Sequence, residues 1–153
     1  MSTSLLILVI LVSPLFVATL FWKIKKKPID VNKYAAWGLG LAFIFFAIGH
    51  FVLTDGMVEM FPPWVPYKIT LVYLTGILEL LVGIALFNSK HRVNGAKTAI
   101  ILFIVFYPVN IYAALNSIGL GGHQLGPEYL LTRTPLQIIL ILWTYYLCVK
   151  NYK

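Results

Sequence analysis

The stretch VYLTGILELLVGIALF, from Val72 to Phe87, is almost wholly apolar, with a single carboxylate, Glu79, near its middle. Extended back to Lys68 it matches the ~20 residues that cross a bilayer as a helix. Glu79 then lies eleven residues in from Lys68, roughly 16 Å deep at ~1.5 Å per residue. Inserting an acidic side chain at the centre of a span costs on the order of 2.5–3.5 kcal/mol. Such a residue is expected to face the interior of a bundle or an aqueous cavity. Gly76 and Gly83 flank it at i−3 and i+4 on the same face, where small residues let a neighbouring backbone approach.

Working outward, the rest of the chain repeats the pattern. Of its 153 residues 60% are hydrophobic and only 11% are charged, against about 25% charged in a typical soluble domain. Hydropathy predicts five spans, at about 4–22, 34–54, 68–87, 98–115 and 134–149. Backbone groups in lipid must be satisfied internally, and no barrel-like alternation is present, so the spans are predicted to be helices. The predicted fold class is an all-α, polytopic transmembrane helix bundle forming one domain over residues 1–153. No repeat appears.

The net charge of +7 has the distribution of a topology signal rather than of a nucleic-acid surface. Ten of the twelve basic residues, among them Lys23, Lys25, Lys26, Lys27 and Lys33, fall in the first and third connections or the tail. Lys68 and Arg133 alone lie on the other side. Positive charge marks the cytoplasmic face. The chain is therefore expected in the bacterial inner membrane, N-terminus outside and C-terminus cytoplasmic, with the lipid bilayer as its first partner and no nucleic acid. The first apolar run has no basic residues ahead of it, so it reads as a retained helix rather than a secretory signal.

The outer connections are the richer ones. DGMVEMFPPWVPY (55–67) carries Pro62 and Pro63, which oppose regular helix there, and Trp64, suited to the headgroup level. NSIGLGGHQLGPEYLLTRT (116–134) has four glycines and reads either as a lid over an outward opening or as a plain surface loop.

Polar residues inside the spans concentrate toward this outer side. His50 stands near the outer end of the second span, Asn110 follows Tyr107 and Pro108 in the fourth, and Gln137 follows Arg133 in the fifth. With Glu79 deepest, they form an outward-opening polar funnel. Each has a plainer reading. Glu79 with a nearby Arg or His is often a structural pair, Asn110 and Gln137 are often interhelical glue, and Tyr73, Tyr107 and Trp64 are often packing or belt residues. Grouping toward one leaflet favours a binding role. Glu79 and His50 are then the proton-exchanging candidates, with Asn110, Arg133, Gln137, Tyr73, Tyr107 and Trp64 as ligand contacts. No metal site is predicted, because no local ligand spacing joins His50, Glu79 and His123. The single cysteine, Cys148, excludes an internal disulfide or dithiol redox pair. No phosphate loop, dinucleotide fingerprint or nucleophile elbow is present.

The order of these features resembles the DoxX-like family of small bacterial integral membrane proteins. The resemblance rests on Gly49-His50, the Pro62–Pro66 segment, Gly76 with Glu79 and Gly83, YPVNIYAAL (107–115) and RTPLQIILILW (133–143), covering about residues 34–150. It implies a four-helix core to which the first helix is an addition. It also implies proximity to quinone-linked redox functions, with an electron-transfer role needing a quinone or partner subunit. The helix count and buried acid also resemble, at fold level, the four-helix sterol isomerase and sigma-type receptor proteins. The expected function is binding of an amphiphile (quinone, isoprenoid or lipid) in the outer pocket, with quinone-linked oxidoreduction as the chemistry it would serve. The alternatives are a non-catalytic accessory or scaffold subunit, with a partner subunit or homo-oligomer, and an acid–base isomerase acting on a lipid-like substrate. A small transporter ranks below these, since the inner half offers few polar residues to continue a path.

Overall fold

The computed structural model describes residues 3–150, and every regular element in them is helical. The order is α1 (Thr3–Ile24), α2 (Val31–Val52), a short α3 (Thr54–Glu59), α4 (Lys68–Phe87), α5 (Arg92–Leu115), two single 3-10 turns (His123–Leu125 and Pro127–Tyr129), α6 (Leu130–Trp143) and a π-helical turn (Thr144–Lys150). Four of these, α1, α2, α4 and α5, are long and apolar enough to cross a membrane. α6 has 14 residues and continues directly into the π turn.

The element bounds depart from hydropathy where charge and local capping decide. α2 starts at Val31, three residues before the predicted 34, because Asp30 accepts a hydrogen bond from the Lys33 N–H at 2.9 Å and caps it. This satisfies one of the free amides of a helix start. α5 begins at Arg92 rather than 98. Arg92, read from the sequence as part of a solvated basic connection, is instead buried, and its Nε donates to the Leu86 carbonyl at 3.2 Å. It thereby covers a carbonyl at the end of α4, where a cation is favoured. The segment before Pro62 is also more regular than its prolines imply, since α3 closes before them. In α1, Pro14 lacks the N–H that would bond the Ile10 carbonyl, and the Ser13 hydroxyl donates to that oxygen at 3.1 Å.

α2 is the centre of the bundle, packed against α1 on one side and α4 on the other. Both contacts depend on missing side chains. A Cβ on Gly38 would collide with the Leu11 carbonyl of α1. On the α4 side, a Cβ on Gly83 would stand 3.2 Å from the Gly40 oxygen, and one on Gly40 would stand 3.1 Å from the Gly83 oxygen. The two backbones therefore touch at reciprocal glycines, as close-packed membrane helices do. α5 packs on α4 and on the π turn, and Trp143 Nε1 donates to the Ala35 carbonyl of α2 at 3.2 Å. Leu11, Leu39, Phe43, Leu86, Leu136 and Leu140 fill the core between them. The outward surface is apolar: Phe16, Val17, Leu74, Leu81, Ile101 and Ile104 are all exposed.

The two long connections meet at one end of the bundle. Gly56 of α3 lies against the Leu120 side chain, and Gly119 lies against Met60, in each case too closely for a Cβ. Gly119 also holds a positive φ of 86°, which favours glycine. The end opposite carries the basic connections. There Trp22 Nε1 donates to the Tyr34 hydroxyl at 3.1 Å, and the Lys33 ammonium lies 4.9 Å from the Trp37 ring centroid.

Candidate functional site

Beneath the joined connections lies a cavity of about 480 Å³, lined by α1, α2, α4, α5, α6 and the 116–129 connection. Most of its wall is apolar, with Phe43, Phe45, Phe46, Phe103 and Phe106 prominent. Its polar lining includes His50, Thr75, Glu79, Asn110, His123, Arg133 and Gln137. The five span residues singled out in the sequence as the funnel thus share one cavity.

Glu79 is 6% exposed, and its Oε2 lies 3.2 Å from His50 Nε2. The contact has ion-pair distance without an aligned hydrogen bond, and Oε2 has no other partner among the described residues. On the far side of the imidazole, Nδ1 stands 3.2 Å from the Thr75 hydroxyl. That hydroxyl donates to the Leu71 and Val72 carbonyls at 2.8 and 2.9 Å. Its one proton is spent on the main chain, leaving a lone pair to accept from His50 Nδ1–H. Nε2 therefore faces the carboxyl at 3.2 Å. The arrangement can take up or release a proton toward the cavity. Gly76 makes it possible, since a Cβ there would stand 2.7 Å from His50 Cβ.

α6 supplies the opposite wall. Gln137, 4% exposed, donates through Nε2 to the Phe103 carbonyl. That fixes the amide, because the reverse orientation would set two oxygens together, and it leaves Oε1 buried without a partner. Arg133, one turn earlier, has a buried Nε without a partner, and no carboxylate of the described residues stands at ion-pair distance from it. Next to it, Thr134 shares a 2.5 Å hydrogen bond with the Tyr107 hydroxyl, tying α6 to α5.

Asn110 turns out to be a mooring for the long connection. Its Nδ2 donates to the Phe106 carbonyl at 2.8 Å, and its Oδ1 faces His123 Nε2 at 3.1 Å. His123 Nδ1 lies 2.5 Å from the Leu120 carbonyl. Burial, with a smaller contribution from the Arg133 charge, lowers the His123 pKa below the ordinary histidine value, against the Leu120 carbonyl, which raises it. Gly122, at φ 115°, lies against the Tyr129 ring, which is itself set edge-on to His123 at 4.8 Å.

Three residues expected as ligand contacts lie outside the cavity wall. Tyr73 is 41% exposed and stacks on Phe51, because six residues before Glu79 is the wrong side of a 3.6-residue helix. Trp64 is 76% exposed and sits edge-on to Tyr112 at the bundle end. Tyr107 is engaged with Thr134 and braces the site without lining it. Sequence reasoning missed Thr75 and underrated His123. Thr75 was findable, since it lies at i−4 from Glu79 and so on the same helical face. His123, a lone histidine in a glycine-rich connection, carried no such periodic signal. Among the described residues no three His, Cys, Asp or Glu side chains come together as a metal site.

Residues 39–148, more than half of the chain, match the model of a family described as "Domain of unknown function (DUF8561)". The chain belongs to that family. No curated protein and no solved structure matches it. The DUF8561 region begins within α2 and ends in the π turn, so α1 lies outside it while His50, Glu79, Asn110, Arg133 and Gln137 all lie within.

Proposed function

We propose that this DUF8561 protein is a DoxX-like, five-span protein of the bacterial inner membrane that holds an amphiphilic ligand in an outward-facing pocket. The fifth span is α6 with its π turn, an unbroken stretch over 130–150 of roughly 30 Å at the helical rise. The lysine-rich connections and tail favour a cytoplasmic placement for their end and an outside placement for the cavity. The amphiphile belongs to the quinone, isoprenoid or lipid class. The observation that carries this reading is the meeting of a buried His50–Glu79 pair, 3.2 Å apart, with a largely apolar cavity of about 480 Å³. A ligand site of this kind has apolar walls and a few placed polar groups. In a quinone-linked reaction the pair would exchange the proton. The electrons would come from a partner subunit, because one cysteine supplies no dithiol.

The test is mass spectrometry of what co-purifies with the wild type and with Glu79→Gln, alongside insertion and melting of both. The expected result is an amphiphile retained by the wild type and lost from a folded, inserted Glu79→Gln protein. A second reading, an accessory subunit in which the pair only locks helices, is favoured by the position of His50 and Glu79 across the tight α2–α4 seam. It predicts a lower melting temperature for Glu79→Gln with no ligand in either protein and a stoichiometric partner in pull-down.

A further inference from the structure

Two buried polar atoms on the cavity residues of α6 have no partner, Arg133 Nε and Gln137 Oε1, and Glu79 Oε2 has only its 3.2 Å contact with His50. Leaving such an atom unsatisfied is costly, and native interiors carry few of them. Here all three belong to residues that line one cavity, from two helices. Their chemistry is specific. Arg133 Nε can only donate, whereas Gln137 Oε1 can only accept, its amide being pinned by the Phe103 carbonyl. The two residues stand four apart on α6, so they are neighbours on one face.

Resting on the amphiphile reading, we infer that the polar end of the ligand is a neutral hydroxyl, of an alcohol or a phenol, seated between Arg133 and Gln137. A hydroxyl accepts from Arg133 and donates to Gln137 at the same time. A ketone, ester or ether oxygen serves only Arg133 and leaves the Gln137 acceptor unspent. A phosphate meets one guanidinium with a carboxyl group in the same cavity, where anion sites ordinarily gather several donors. A quaternary ammonium meets the guanidinium charge and has no hydrogen to give.

The probes are 4-octylphenol and its methyl ether 4-octylanisole, which differ only in replacing the donating hydrogen by a methyl group. Saturation binding is measured on the intact protein in nanodiscs, with empty nanodiscs subtracted for partitioning. The phenol is expected to bind at least about tenfold tighter than the ether, in the range that an unpaired buried acceptor imposes. Gln137→Met is expected to bring the two within about threefold by removing the acceptor, the phenol weakening toward the ether. The wild-type ratio is decisive by itself should that variant not fold. Equal binding of the two probes, or tighter binding of the ether, overturns the hydroxyl inference and leaves the amphiphile pocket standing. Binding of neither overturns both.

Discussion

Adding one methyl group at Gly76 tests whether the α2–α4 seam sets the His50–Glu79 pair. In Gly76→Ala the new Cβ would lie 2.7 Å from His50 Cβ, and ordinary contact begins at 3.4 Å. His50 Cβ is fixed to its backbone and cannot rotate aside, so the helices must part locally by about 0.7 Å. Directed along the 3.2 Å contact, that movement takes the pair to about 3.9 Å, the edge of ion-pair range. Overpacking of this kind costs about 1–3 kcal/mol, or roughly 2–12 °C in melting temperature for a chain of this size. Gly83→Ala should cost less. Its nearest neighbour is the Ile44 side chain at 3.0 Å, which can turn, before the Gly40 oxygen at 3.2 Å. Leu74→Ala, at a 57% exposed position on the same helix, removes no interior contact and serves as control. Melting in detergent, followed by the loss of the monodisperse chromatographic peak, should rank Leu74→Ala near wild type, then Gly83→Ala, then Gly76→Ala. A Gly76→Ala protein melting within about 1 °C of wild type, with ligand retention unchanged, would refute the claim that the seam positions the pair.

Three further outcomes follow from single features. Since the His123 pKa is lowered in the fold, an opened connection takes up a proton first as the pH falls below the ordinary histidine value. Its attachment is full above that value and weakens on acidification through the folded one; amide protection factors over 120–126, taken relative to the intrinsic exchange rate at each pH, should fall from about pH 7.5 to 5.5, and less so in His123→Gln. Protection factors that rise at the lower pH would contradict the assignment. Cys148 is fully buried, so a maleimide should leave it unmodified in the folded protein and label it at the melting transition. Tyr107→Phe removes the bond to Thr134 and should lower stability by about 0.5–1.5 kcal/mol, with ligand retention preserved because the hydroxyl does not line the cavity.

Much of this arrangement was legible because membrane-like composition makes every polar residue informative. Glu79 announced an interior position by its insertion cost, and the flanking glycines announced the close helix that meets it. The gathering of His50, Asn110, Arg133 and Gln137 at one cavity likewise followed from depth alone. What depth could not supply was rotation about the helix. Tyr73 and Tyr107 sit at suitable levels yet face elsewhere, and on α4 only the 3.6-residue period separates Tyr73 from Thr75, which faces the pair. Hydropathy also halts at charge whereas a helix does not. Arg92 therefore passed for a loop residue, although its stem is buried and its guanidinium covers the end of α4. His123 was beyond reach for a different reason. Its burial depends on the fit of two irregular connections, through Gly56 with Leu120 and Gly119 with Met60, and irregular backbone has no period to read.

The cavity also divides its chemistry from its shape. His50, Glu79, Arg133 and Gln137 come from the DUF8561 region, whereas Thr3, Leu6 and Ile7 of α1, outside that region, close part of the wall. The join between the two is Gly38, one residue before the matched region, whose bare backbone admits the Leu11 carbonyl of α1. A side chain there would push α1 outward and leave every polar group in place. Those four polar groups thus come from the matched region, whereas the apolar wall is shared between that region, through Phe43, Phe46, Phe103 and Phe106, and α1. Changes in α1 should alter the part of the wall that Thr3, Leu6 and Ile7 close without altering the His50–Glu79 contact.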